Sequence, residues 1–91
     1  METNIPYIVY VLWSNQAQRF YIGITENIEV RLKQHNNGSS KWTSRYAGTW
    51  ELCWSETCSN LTQARKLENF LKRQKNGNGF YKYTGLQRAG S

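Results

Sequence analysis

The chain has 91 residues, enough for one small domain and too few for a second core. Hydrophobic residues are 38% and aromatics 14%, which excludes a disordered chain, and the net charge is +6 from 12 basic and 6 acidic residues. The longest apolar run, Tyr7 to Trp13, is too short to span a membrane, two cysteines make no disulfide framework, and one histidine argues against structural zinc.

Tyr7 to Trp13 reads as a strand, apolar on both faces and therefore central. Ser14 to Gln18 is a polar connection of hairpin length, and Arg19 to Thr25 returns antiparallel. On this second strand Phe20, Ile22 and Ile24 share one face, while Tyr21 and Gly23 share the other. A glycine inside a strand marks a bulge or a close backbone approach. Thr25 or Asn27 can cap a helix that runs to about Asn36, where Asn37-Gly38 stops it. Gly38 to Gly48 is a loop rich in Ser, Thr and basic residues. Trp50, Leu52 and Trp54 alternate with Glu51, Cys53 and Ser55, which predicts a third strand. Asn60 with Gln63 resembles a capping box for a second helix from Leu61 to about Lys75, ended by Asn76-Gly77-Asn78-Gly79. Phe80 to Thr84 reads as a short strand or a docked tail. The fold class is α+β: a small three-stranded antiparallel sheet flanked by helices, in the order β-β-α-β-α with a C-terminal tail. One domain over residues 1–85 and a flexible tail over 86–91 are expected.

Charge is unevenly spread. After Thr57 the chain has seven basic residues, Arg65, Lys66, Lys72, Arg73, Lys75, Lys82 and Arg88, against one acid, Glu68. Basic residues also interleave with aromatics at Lys41-Trp42, Arg45-Tyr46 and Phe80-Tyr81-Lys82-Tyr83. Phosphate-attracting charge beside stacking rings is the composition of a nucleic-acid surface; a merely solubilising or membrane-facing surface is the plainer alternative.

The helices put polar groups where apolar ones are expected. At 100° per residue, Ile28, Leu32, Arg31 and His35 fall within one arc of about 100°. An arginine on that stripe is costly unless it meets an anion, although its stem can pack on the core with its head in water. His35 is a possible core histidine, or one held by the helix C-terminus. On the second helix Glu68 falls between Leu61 and Ala64, towards the core. An ion pair with Lys72 is its plain reading, but such a pair prefers an exposed face. A carboxylate at the edge of a basic cleft suits Mg²⁺, which takes one or two carboxylates and completes its shell with water and phosphate. Tyr10 and Tyr21, on adjacent strands, are either ordinary sheet aromatics or partners in this site. Neither a GxxxxGK[ST] phosphate loop nor a GxSxG nucleophile turn is present.

Ile8-Val9-Tyr10, Tyr21-Ile22-Gly23, Arg31, His35 and Glu68, in this order and spacing, resemble the GIY-YIG nuclease superfamily. The stretches YIVYVLWS, FYIGITENIEVRLKQHNNG, WTSRYAGTWEL and LENFLKRQK resemble its small stand-alone bacterial members related to the nuclease domain of UvrC. The resemblance spans Tyr7 to Lys82. It implies a three-stranded antiparallel sheet and phosphodiester hydrolysis with one divalent cation, Mg²⁺ or Mn²⁺. Glu68 would be the metal ligand and Arg31 would neutralise the scissile phosphate. Tyr10 and Tyr21 would border the attacking water, one of them serving as base, with Tyr10 the favoured choice, and His35 would support the base. Gly23 would give a phosphate backbone close access to the strand. Two departures stand out: the first tripeptide lacks its glycine, and Ile24 stands where UvrC-like members carry lysine.

Outside those positions, Lys41, Arg45, Lys72, Arg73, Lys75 and Lys82 are the candidate backbone contacts for DNA, duplex or branched. A monomer with no small-molecule cofactor, no membrane contact, no signal peptide and a reduced, cytoplasmic setting is expected. The competing class is a non-catalytic nucleic-acid binder that keeps the fold; a weaker rival is a structural adaptor.

Overall fold

The computed structural model describes residues 5–41, 43–75 and 77–86. Three strands, β1 (Tyr7–Ser14), β2 (Arg19–Thr25) and β3 (Trp50–Cys58), form one antiparallel sheet in the order β2-β1-β3. Helix α1 (Ile28–Asn36) follows β2, and α2 (Leu61–Gln74) and α3 (Asn78–Thr84) follow β3. The α+β class and the strand order agree with the sequence reading. Trp42, Asn76 and the tail segment 87–91 lie outside the described residues; Leu86 packs, partly buried, against the core.

Caps set the helix starts. Asn27 is the N-cap of α1, its Oδ1 accepting from Val30 N at 3.2 Å, and Asn60 caps α2 by accepting from Gln63 N at 2.9 Å. Thr25 instead holds the approach to α1, accepting from Asn27 N at 3.1 Å.

Alternation along β1 divides the domain into two layers. Val9 and Val11 face Ile22 of β2 together with Ala64 and Leu71 of α2 and Phe80 of α3. Tyr10 and Leu12 face the other way, with Trp50 of β3 and the partly buried Ile28 and Leu32 of α1. Each large side chain closed off in these layers contributes about 1.5–3 kcal/mol.

Two expectations are corrected. First, β3 does not alternate throughout. Val11 pairs with Trp54 but Leu12 pairs with Leu52, so Cys53 is an extra residue and the ladder carries a bulge. The bulge sends Trp50 to the Tyr10 side and Trp54 to the Val9 side. Second, Phe80 to Thr84 is neither strand nor tail; it is most of α3. The aromatic run suggested extended chain, but burial of Phe80 against Phe20, with ring centroids 5.2 Å apart, overrides that preference. Thr84 Oγ1 donates to Phe80 O at 2.9 Å, and Gly85, with φ of 76°, closes the helix by donating to Tyr81 O at 2.9 Å.

Because Phe80 is completely buried and anchors α3, Phe80→Ala is expected to cost about 3–5 kcal/mol in urea denaturation. Tyr83→Ala, at a half-exposed position on the same helix, is expected to cost less than half as much. Equal losses would mean that α3 is not anchored through Phe80.

Candidate active site

The site is built on the Tyr10 face of the sheet. Tyr10 pairs with Gly23, and Tyr21 pairs with Leu12, so the two tyrosines point to the same side; their ring centroids are 6.3 Å apart. Gly23 is what lets the Tyr10 ring lie down across β2. A Cβ at position 23 would sit 2.5 Å from the Tyr10 hydroxyl, a distance no real contact tolerates. The space over Gly23 is thus filled by Tyr10, where sequence reasoning expected an opening for a phosphate backbone.

Helix α1 closes this layer from above. Its buried stripe brings His35 against both tyrosines, with Tyr10 Oη 2.8 Å from His35 Nε2. The second ring nitrogen, Nδ1, lies 2.6 Å from Thr43 Oγ1. Arg31, one turn before His35, donates from Nε to Tyr10 Oη at 3.4 Å and from Nη1 to Gln34 Oε1 at 2.8 Å. Both of these partners are uncharged, so neither neutralises this half-buried guanidinium.

Asn36 fixes where the layer ends. Its Oδ1 accepts from Gly48 N and Trp50 N, and its Nδ2 donates to Trp50 O, at 3.1, 2.9 and 2.9 Å. The end of α1 and the start of β3 are therefore clamped together, with the loop that carries Thr43 between them.

Burial decides the protonation states. It pushes the Tyr10 phenol up to about 12; the Arg31 hydrogen bond opposes this and loses. In the free domain the surroundings therefore favour the neutral phenol over the phenolate. Burial, reinforced by the Arg31 charge, pushes His35 down to about 4, so its ring is neutral at pH 7.

Glu68 arrives differently, from α2 on the opposite layer. Its charge still reaches Tyr10, where it adds to the upward push. The carboxylate is only 19% exposed, yet it pairs with the half-exposed Lys72, Nζ to Oε2 3.0 Å. The i,i+4 pair that a core-side position seemed to disfavour is therefore made, because the long lysine stem reaches back from the cleft.

A cleft of about 570 Å³ opens beside Tyr21 and is lined by Arg19, Arg45, Lys72 and Lys75 with Tyr46 and Trp50. Of the expected backbone contacts, Arg45, Lys72 and Lys75 line it, while Lys41, Arg73 and Lys82 lie elsewhere on the surface. Lys75 is also structural: its Nζ donates to Phe20 O at 2.7 Å. Arg19 was missed, although its place two residues before Tyr21 puts it on the same face. Thr43 was missed because a loop has no periodicity to read.

Two tyrosines on one sheet face, covered by an arginine and a histidine from α1, lie beside a cleft lined by cations. The profile of the GIY-YIG catalytic domain matches residues 6–83, and the chain belongs to the GIY-YIG family. It is 38% identical over 73 residues to a UPF0213 protein of Bacillus licheniformis, covering 80% of this chain and 73% of that one. It is 34% identical over 65 residues to a UPF0213 protein of Clostridium perfringens, covering 71% of this chain and 69% of that one. Family membership points to a nuclease-type function with nucleic acid as substrate. None of the described helices is long and apolar enough to cross a membrane.

The depressed His35 fixes the sign of one pH effect. Between about pH 6.5 and 4 the unfolded chain binds a proton that the folded chain refuses. Stability is therefore full above pH 6.5 and falls as pH drops towards 4, by on the order of 3 kcal/mol. His35→Gln is expected to flatten this slope relative to wild type in denaturation measured at pH 7, 5.5 and 4. Parallel slopes would mean that His35 is not held neutral by burial.

Proposed function

We propose that the chain is a divalent-metal-dependent endonuclease that hydrolyses DNA phosphodiester bonds, in repair or recombination. The observation that supports this reading is Arg31: half-buried, bonded to the uncharged Tyr10 and Gln34, on the sheet face whose Tyr21 borders the cationic cleft.

The residues fit a hard cation better than a soft one. Among the described residues no three His, Cys, Asp or Glu side chains cluster, whereas Mg²⁺ or Mn²⁺ can rest on one carboxylate with water and substrate oxygens. Glu68 would hold it, after exchanging Lys72 for the cation. Such an ion, when bound, supplies positive charge to the scissile phosphate and the leaving oxygen.

The chain's own groups account for binding and proton movement. Arg31 takes two phosphate oxygens with its planar fork. In doing so it leaves the Tyr10 hydroxyl, which it covers in the free domain. Tyr21, the more open ring, orients the attacking water. Tyr10 accepts the water's proton while passing its own to His35 Nε2, so a phenolate never has to exist alone. The cleft cations Arg19 and Arg45 hold the flanking backbone.

The test is incubation of plasmid and branched DNA with Mg²⁺ or Mn²⁺, followed by single-turnover rates at saturating protein. Glu68→Ala and Arg31→Ala are each expected to lose at least about 100-fold in rate, with Arg31→Ala keeping most of its DNA affinity. The Arg19→Gln, Arg45→Gln double variant should do the reverse. It binds weakly, with a salt slope shallower by about two, and recovers its rate at saturation. Glu68→Ala cleaving as fast as wild type defeats the assignment. Salt-dependent binding without metal-dependent cleavage by wild type makes the chain a non-catalytic binder.

A further inference from the structure

Thr43 sits in the loop between α1 and β3, and its hydroxyl is on His35 Nδ1 at 2.6 Å with both side chains closed to solvent. The loop is tied at this residue by three backbone contacts. Thr43 N donates to Ser40 O at 3.3 Å, and Thr43 O accepts from Tyr46 N and from the Trp50 indole, both at 3.1 Å. Trp50 is itself clamped by Asn36, the neighbour of His35. Thr43 and His35 are therefore held in one rigid frame.

The neighbours of the ring dictate where its proton sits. Arg31 donates to Tyr10 Oη and can accept nothing in return. If His35 Nε2 also carried a hydrogen, two donors would converge on the Tyr10 oxygen and its own buried hydrogen would lose its partner. The Arg31 charge on this side of the ring likewise favours a lone pair over an N–H. A neutral ring then carries its hydrogen on Nδ1, and Thr43 Oγ1 accepts it.

We infer that Thr43 is a positioning residue that holds His35 in the tautomer whose Nε2 lone pair faces Tyr10. The role rests on the Tyr10-to-His35 proton route proposed above, but the tautomer can be read without any cleavage. Valine at 43 keeps the shape and removes the acceptor. The Nδ1 hydrogen is then left unpaired, and the ring shifts towards the tautomer that has no lone pair for the Tyr10 proton.

The chain has one histidine, so nitrogen NMR of the full chain at pH 7 gives one pair of imidazole signals. Wild type and Thr43→Ser should show protonated Nδ1 and unprotonated Nε2, and Thr43→Val should show a mixed or reversed pattern. In single-turnover DNA cleavage, Thr43→Val should fall about 100-fold with unchanged DNA affinity, and Thr43→Ser should stay within about threefold of wild type. A reversed pattern in wild type, an unchanged pattern in Thr43→Val, or Thr43→Ser as slow as Thr43→Val overturns the inference. If Thr43→Val does not fold, the wild-type and Thr43→Ser spectra still decide it. If wild type does not cleave, the proposed function fails while the spectra still report on Thr43.

Discussion

A phenol and an imidazole in hydrogen-bond contact, both shut away from water, constrain most of this domain. Tyr10 must stand on the central strand so that α1 and β2 can enclose it. Position 23 must lack a side chain, since the ring lies where a Cβ would be. His35 must fall on the buried stripe of α1, which fixes the rotation of that helix, and Thr43 must be brought back to the ring by the loop. Burial makes both partners resist ionisation, the phenol upward and the imidazole downward. A pair in this state is poor at holding a charge in the free domain.

Much of that arrangement was legible in the sequence because it obeys simple periods. Two-residue alternation placed Tyr21 and Gly23 opposite Phe20, Ile22 and Ile24, and the 3.6-residue period put Arg31 and His35 on the stripe of Ile28 and Leu32. What stayed hidden breaks a period or has none. The extra residue at Cys53 shifts the phase of β3 partway along, so Trp50 and Trp54 part company. Phe80 to Thr84 carries residues that favour strands, and its helical state is set by contacts with Phe20 that are 60 positions away in sequence. The Asn36 clamp joins residues that no local pattern connects.

The two layers divide labour. The face carrying Val9, Val11 and Ile22 packs against α2 and α3 and is almost wholly apolar. The face carrying Tyr10 and Leu12 accepts polar groups matched to partners: His35 to Tyr10 and Thr43, Ser14 to Thr49 at 2.7 Å, Trp50 to Thr43. Matched buried polar groups specify one geometry far more sharply than apolar contacts, which tolerate repacking. Glu68 is the exception, a polar group on the apolar layer's helix that reaches the site by its charge.

Crowded cations also shape how the fold itself meets its surroundings. Lys75 is held against the Phe20 carbonyl while burial, Arg19 and Lys72 all disfavour its charge. Repulsion among these three is carried by the folded state and relaxes when the chain opens. Counterions that gather in the cleft relieve it, so added salt tightens the β2–α2 seam while it loosens the hold on any polyanion lying there. Ionic strength thus pulls the same few side chains in two directions, firmer architecture with weaker grip.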